Sequence, residues 1–564
     1  MMQRLIECVP NISEGRRDDV IEAVAGVVKS VPGVALLDVD PGRSTNRTVI
    51  TFVGPPETIG EAAFRVIQKA AELIDMSEHR GEHPRMGATD VCPFVPVAGV
   101  TMEECAEVAH AVGERVGREL GIPGYFYESA ARQPERKNLA HCRKGEYEGL
   151  EKLTEPAWQP DFGPAEWSDR VKRTGATAIG ARDFLIAYNI NLNTTSARRA
   201  NAIAFDIRES GRVQREGGPG SPIVKDAEGQ PVRIPGSLKA VKGIGWYIEE
   251  YGIAQLSLNL TDINTTPVHL AFDEAVERAR VRGIRVTGSE LVGLLPLRVL
   301  TEAADHYLRK QERSLGIPDR EKVKIAVKSL GLDDLAPFEP ADRVIEYRIA
   351  AASRTPLLDM TLRGFSEETA SESPAPGGGS ISAYCGALGA ALGTMVANLS
   401  AHKRGWDDKW AQYSADAVEG LAIQEQLLLL VDADTAAFNG IMDAYGLPKS
   451  NPDQKAARTV AIQSATQRAI DIPMQVARTA LSAMPLLKRM ADHGNPNSIT
   501  DAGVGAMAIR TAVLGAIFNA RVNAADLADK GYVSEVLAEC KTLSDEVSRM
   551  ESVILARVDE LLKN

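Results

Sequence analysis

The densest chemistry in this chain sits in Gly81-Glu82-His83-Pro84-Arg85-Met86-Gly87. Pro84 fixes its own φ and drives the residue before it out of the helical region, so His83 is expected on an extended loop. An imidazole pinned on a loop can act as general acid and base, because its ordinary pKa lies near neutrality. A purely structural histidine is the plainer reading. Metal is a third, since His79-Arg80-Gly81-Glu82-His83 matches an H-x-x-E-H zinc pattern. That pattern needs both histidines on one helix face, and Gly81 and Pro84 oppose a helix there, so no metal is expected.

Other candidates are spread along the chain. Asp40 ends an apolar strand and is carried into the loop Pro41–Arg47. Gly175-Ala176-Thr177-Ala178-Ile179-Gly180-Ala181-Arg182 lacks G-x-G-x-x-G spacing. It reads either as a tight turn or as small residues that let a flat ligand approach the backbone. Pro374 to Ser380, with Gly377, Gly378 and Gly379, enters a helix whose free amides attract anions, but no Gly-Lys-Ser/Thr follows to make a nucleotide loop. Leu430-Val431-Asp432-Ala433-Asp434 sets two carboxylates in an apolar helix, about 200° apart around its axis. One can be buried, with a raised pKa, while the other is exposed. A pair of solvated helix charges fits the spacing equally well.

These groups must be positioned by two kinds of architecture. Strands are expected at 4–10, 34–40, 48–53, 90–95 and 125–128, and helices from the polar run after Pro10 to about Val31, then at 56–74 and 102–120. This is a split β-α-β sandwich with helices on one face of a sheet. A second round follows, with strands at 184–192, 242–249, 254–261 and 285–287, helices at 196–208, 267–280 and 296–307, and an exposed Gly/Pro-rich loop from Gly211 to Gly236. A crevice between two such subdomains is a favoured ligand site. From Leu357 alanine and leucine dominate at helical spacing, which predicts an all-α bundle. The expected organisation is 1–182 and 183–345 as two α/β (ferredoxin-like) subdomains, 346–357 as linker, and 358–564 as the helical domain.

With 64 Lys plus Arg against 76 Asp plus Glu, the formal net charge of −12 disfavours nucleic acid as partner; an anionic substrate would need local basic patches. The six cysteines are scattered, which fits reduced thiols in a cytoplasmic protein. The uncharged stretch Ser373 to Ala401 is interrupted by Ser382, Thr394 and Asn398, and Gly386, Gly389 and Gly393 suit close helix contact. It reads as a packed core helix, with a membrane span as the alternative, so no membrane is expected.

Several motifs resemble known families. Glu7 to Gly15, Leu37 to Asp40, Ser44 to Thr48, Gly81 to Gly87, Asp161 to Pro164, Gly175 to Arg182 and Gly243 to Tyr247 resemble glutamate formimidoyltransferases. Ala375 to Ser380 and Val431 to Phe438 resemble formimidoyltetrahydrofolate cyclodeaminases. Their order along the chain is similar to the bifunctional fusion of histidine breakdown, with a longer loop at Gly217 to Pro235 than in animal members. The resemblance implies formimino transfer from N-formimino-L-glutamate to tetrahydrofolate, then cyclisation to 5,10-methenyltetrahydrofolate with loss of ammonia. It implies His83 as the transferase acid/base, Asp434 as the cyclodeaminase carboxylate and Asp40 as a further active-site carboxylate. It places folate at about 163–175, around Gly163, Pro164, Gly175, Ala176, Thr177 and Arg182, with Gly377 to Gly379 holding folate or its carboxylates near Asp434. It also implies tetrahydrofolate as co-substrate rather than bound cofactor, and a homo-oligomer, in the family a ring-like octamer. A monofunctional enzyme and a non-catalytic folate-binding scaffold are the competing expectations.

Overall fold

The computed structural model describes residues 4–563 except 44, 82–83, 218–219, 353–356 and 374. His83 therefore lies outside the described residues. The chain divides into two units, one of Met1–Val299 with Leu330–Ala352, the other of Leu300–Ser329 with Ser353–Asn564.

The first unit holds two sheets. In the first, β1 (Leu5–Cys8) and β2 (Asn11–Ile12) lie end to end between β4 and β5; the other strands are β3 (Ala35–Gly42), β4 (Arg47–Gly54), β5 (Thr89–Ala98), β6 (Gly124–Glu128) and β7 (Thr177–Ala181). The order is β3-β4-β1/β2-β5-β7-β6, antiparallel on one side and parallel along β5-β7-β6. Helices Asp18–Gly26, Pro56–Leu73 and Met102–Arg115 cover one face, over a core that includes Ile6, Ile50, Phe52, Phe94 and Phe126. Each of those side chains is fully buried and contributes roughly 1.5–3 kcal/mol of transfer free energy. The other face is not bare, as a one-sided sandwich would leave it. Val91, Tyr125, Tyr127 and Ala178 pack there against Cys142, Leu150, Leu153 and Val171.

Residues 175–182 are a second departure. They were expected as a turn or ligand-facing loop, and 177–181 are instead the buried strand β7 between β5 and β6. Its small side chains match the crowding, since Gly180 lies against the Tyr127 ring.

The exposed loop beyond residue 210 carries a short ladder of β9 (Arg212–Val213) and β10 (Arg233–Ile234). The second sheet has β8 (Ile186–Leu192), β11 (Val241–Ile248), β12 (Ile253–Leu260) and β13 (Val286–Val292) in the order β11-β12-β8-β13, all antiparallel.

The second unit is a helical bundle. Its centre is the helix Gly378–Ala401, packed against Trp410–Gly446 and Ile499–Ala524, with Pro452–Leu481 and Lys530–Leu562 outside them. Two helical spans, Gly378–Ala401 and Pro496–Ala524, are long and apolar enough to cross a membrane, and the most apolar window of each is 61% and 50% buried in the bundle. Residues 300–329 group with this unit, although the sequence places them in the second α/β subdomain. Leu315 N–H donates to Ser414 (3.0 Å), Asn398 Nδ2 donates to the Gly316 carbonyl (2.8 Å), and Gly316 abuts the Ala417 backbone.

Candidate active sites

In the first unit Gly81 and Gly87 are both packed tightly against neighbouring backbone. Gly81 abuts the Thr45 carbonyl so closely that a Cβ would overlap it. Gly87 lies equally close to Ala176, Ser13 Oγ donates to the Gly87 carbonyl (2.8 Å), and Ala176 N–H donates to the Met86 carbonyl (3.0 Å). Gly175 holds φ +67, a conformation glycine adopts without strain. The small residues at 175–177 therefore admit the backbone of the Met86-Gly87 segment. Thr177 is buried in β7.

His79 is buried with both ring nitrogens engaged. Nε2 lies 3.0 Å from the Asn46 carbonyl, and Arg85 Nε donates to Nδ1 (3.3 Å). This pattern puts the proton on Nε2 and leaves no lone pair for a metal. Burial holds the imidazole below its ordinary pKa, with the Arg85 charge adding to that effect and the Asn46 hydrogen bond opposing it. Arg85 in turn forks onto Glu148 at 2.8 and 2.7 Å. Among the described residues, no group of three or more His, Cys, Asp or Glu is arranged to hold a metal ion.

Pro84 lines a cleft of about 1210 Å³ whose walls come from both α/β halves of this unit. Arg47, Lys137, Arg143, Lys144, Arg182 and Lys242 line it, so an acidic chain has built a cationic hollow. Among the described residues, Lys137, Lys144, Arg182 and Lys242 have no carboxylate within ion-pair distance. Beneath the cleft the fully buried Asp90 binds the guanidiniums of both Arg47 and Arg143, and its second oxygen accepts from Met86 N–H (3.0 Å). Glu7, on β1, is also buried, and burial pushes its carboxyl up to about 7 against the lowering influence of Arg182. Sequence reasoning missed this set. Arg47 and Glu7 stood inside quoted motifs, but nothing local joins residue 90 to 47 and 143.

Of the residues expected to hold folate here, only Arg182 lines the cleft. Gly163, at φ +78, packs on the Ile122 carbonyl, and neither it, Pro164, Gly175, Ala176 nor Thr177 is among the lining residues. Asp40 is exposed on β3, which runs on through it to Gly42 because Asp40, Pro41 and Gly42 pair with Val49, Thr48 and Arg47. The expected loop is thus a hairpin arm, and Asp40 does not line the cleft.

In the second unit Asp434 is seated at the start of the helix Gly378–Ala401. A Cβ on Gly379 would overlap its carboxylate, and Ser380 Oγ lies 3.2 Å from Oδ2 and 2.9 Å from the Val431 carbonyl. The helix start that the sequence offers as an anion seat lies against the protein's own Asp434 carboxylate. Burial raises the Asp434 pKa, while hydrogen bonds from the Ser380 side chain and backbone lower it. Asp432 points elsewhere, accepting from Leu357 N–H (3.1 Å); its other oxygen is buried without a partner among the described residues. The pair is neither solvated nor divided into one buried and one exposed member.

Family models described as "Formiminotransferase domain, N-terminal subdomain", "Formiminotransferase domain" and "Formiminotransferase-cyclodeaminase" match residues 5–182, 187–350 and 361–542. A formimidoyltransferase-cyclodeaminase of Mus musculus is 42% identical over 560 residues, covering 99% of each chain. A glutamate formimidoyltransferase of Streptococcus pyogenes serotype M1 is 42% identical over 55% of this chain and 95% of its own. A methenyltetrahydrofolate cyclohydrolase of Methylorubrum extorquens is 35% identical over 35% of this chain and 95% of its own. Matched along its length by three such models and by a full-length relative, the chain belongs to the formimidoyltransferase-cyclodeaminase family.

Proposed function

We propose that the chain carries out two consecutive folate reactions, one in each unit. In the first, nitrogen 5 of tetrahydrofolate attacks the amidine carbon of N-formimino-L-glutamate. A tetrahedral intermediate forms, the attacking nitrogen loses a proton, and the departing glutamate nitrogen gains one. His83 serves both proton transfers in turn, a role worth roughly 10²–10⁴-fold in rate. The reading is supported by the cationic cleft that Pro84, its neighbour in the chain, lines. That cleft suits a dicarboxylate donor and a folate carrying glutamate. Tetrahydrofolate enters as co-substrate, with Arg182 toward its anionic end.

In the second reaction, nitrogen 10 of 5-formiminotetrahydrofolate attacks the same carbon, and ammonia leaves as 5,10-methenyltetrahydrofolate forms. Asp434 carries the proton. Its raised pKa, in a seat without a cationic partner among the described residues, supports that role. We further assign Asp40 a supporting part in transfer, and the chain a cytoplasmic location and a homo-oligomeric state, as the family resemblance suggests.

The observation that carries this reading is full-length kinship to a bifunctional relative. A coupled assay tests it, following methenyl absorbance and ammonia release in wild type, His83→Ala and Asp434→Asn. The expected result is loss of transfer alone in the first variant. In the second, 5-formiminotetrahydrofolate should accumulate. A scaffold would bind folate and release no ammonia.

A further inference from the structure

We propose that Arg143, held beside Arg47 by the buried Asp90, is the receptor for a carboxylate of the formimino donor; this rests on the transferase reading above. Asp90 gives one negative charge to two guanidiniums, which leaves positive charge beneath the cleft. Among the described residues only Nη2 of Arg143 meets an acceptor, and its Nε–H is buried without one. A guanidinium with donors to spare is suited to fork onto a carboxylate. Of the carboxylates lining the same cleft, Glu128 stands in the field of Arg182 and Lys242, and the other three have partners of their own. Glu146 faces Arg85 (3.4 Å), Asp183 faces Arg298 (3.2 Å), and Asp262 accepts from the Thr265 hydroxyl (2.6 Å).

Position selects the donor over folate. Asp90 also binds Met86 N–H, so the same carboxylate ties the arginines to the segment that follows His83. On N-formimino-L-glutamate the α-carboxylate sits on the carbon that bears the reacting nitrogen. Its receptor must therefore neighbour the acid/base group. The glutamate carboxylates of folate lie beyond the p-aminobenzoyl ring from nitrogen 5. Asp90 is then a positioning residue, acting through the arginines.

The test is steady-state kinetics on the full chain, varying each substrate, for wild type, Arg143→Gln, Arg143→Lys and Asp90→Asn. Calorimetric titration with L-glutamate, the product, accompanies it. Arg143→Gln should raise KM for the donor about 10- to 100-fold, leave KM for tetrahydrofolate unchanged and abolish glutamate binding. Arg143→Lys keeps the charge and should recover part of the loss; it decides the matter if the glutamine variant does not fold. Asp90→Asn should raise donor KM more than it lowers kcat. An unchanged donor KM overturns the proposal. So does a rise confined to tetrahydrofolate, which would assign the pair to the folate tail. If wild type transfers no formimino group, the transferase reading fails and the titration judges the receptor by itself. Glutamate binding lost in Arg143→Gln then supports it, and no binding in wild type overturns it.

Discussion

The cleft of the first unit and the Asp434 seat of the second hold their reactive groups by opposite means. Beneath and beside the cleft, buried charges are paired: Asp90 binds two arginines, and Arg85 forks onto Glu148 while contacting His79. Around Asp434 the partners are neutral, the hydroxyl and the backbone amide of Ser380, and the dominant influence is burial. A cationic hollow suits the capture of anionic substrates. A carboxyl desolvated without a cation stays easy to protonate, as exchange with a departing ammonia requires.

The sharpest break is Gly379→Ala. The added methyl overlaps the Asp434 carboxylate and must displace it. Turnover of supplied 5-formiminotetrahydrofolate should fall on the order of 10²–10⁴-fold while formimino transfer persists. Parallel assays of both steps check this, and normal cyclisation would show that Asp434 is not the proton carrier.

Gly87→Ala is the matching lesion in the first unit, where the methyl meets the Ala176 and Thr174 carbonyls. Backbone on both sides leaves little room to yield, so a loss of about 1–3 kcal/mol in that unit's stability is expected, with transfer impaired and cyclisation retained. Denaturant melts followed separately for each activity decide it.

Smaller effects compare the two buried carboxyls. Glu7 has its pKa raised from 4.5 to about 7 in the fold, so it costs stability progressively as pH rises through that window. Glu7→Gln should raise the melting temperature at and above about pH 7 and leave it unchanged below pH 4.5. Asp434 is raised by the same cause, so Asp434→Asn should also stabilise at neutral pH while removing cyclisation. A variant less stable than wild type at neutral pH would contradict the burial cost.

The smallest expected effect separates the sites by salt. Raising ionic strength should increase the transferase KM values a few-fold and move the cyclodeaminase constants less, because exposed charges are screened and buried ones are not. Equal sensitivity would remove the contrast.

Legibility followed the range of the interactions. The alternation of strands and helices was readable because each element announces its own period. So were the change of architecture near Leu357 and the divergence of Asp432 from Asp434. β7 was not, because Thr-Ala-Ile-Gly-Ala has too little bulk to show a strand's alternation, and its burial comes from β5 and β6 on either side. The glycines at 377–379 marked a crowded helix start, but nothing local could show that Asp434, far along the chain, lies against Gly379. The Arg47–Asp90–Arg143 cluster joins three distant segments and has no local pattern at all.

The helix Gly378–Ala401 carries one more consequence. Gly386, Gly389 and Gly393 abut residues of four other helices, among them Leu427, Ala480, Ile509 and Leu486, and Gly379 abuts Asp434. Such a helix has little spare volume along its buried side, so single enlargements are penalised from the turn beside Asp434 to the middle of the bundle. In a randomised library, survivors with a larger residue at 389 should carry a smaller one at 509. Diversity along this helix should thus arise as linked exchanges between helices, with Gly379 held fixed by the carboxylate beside it.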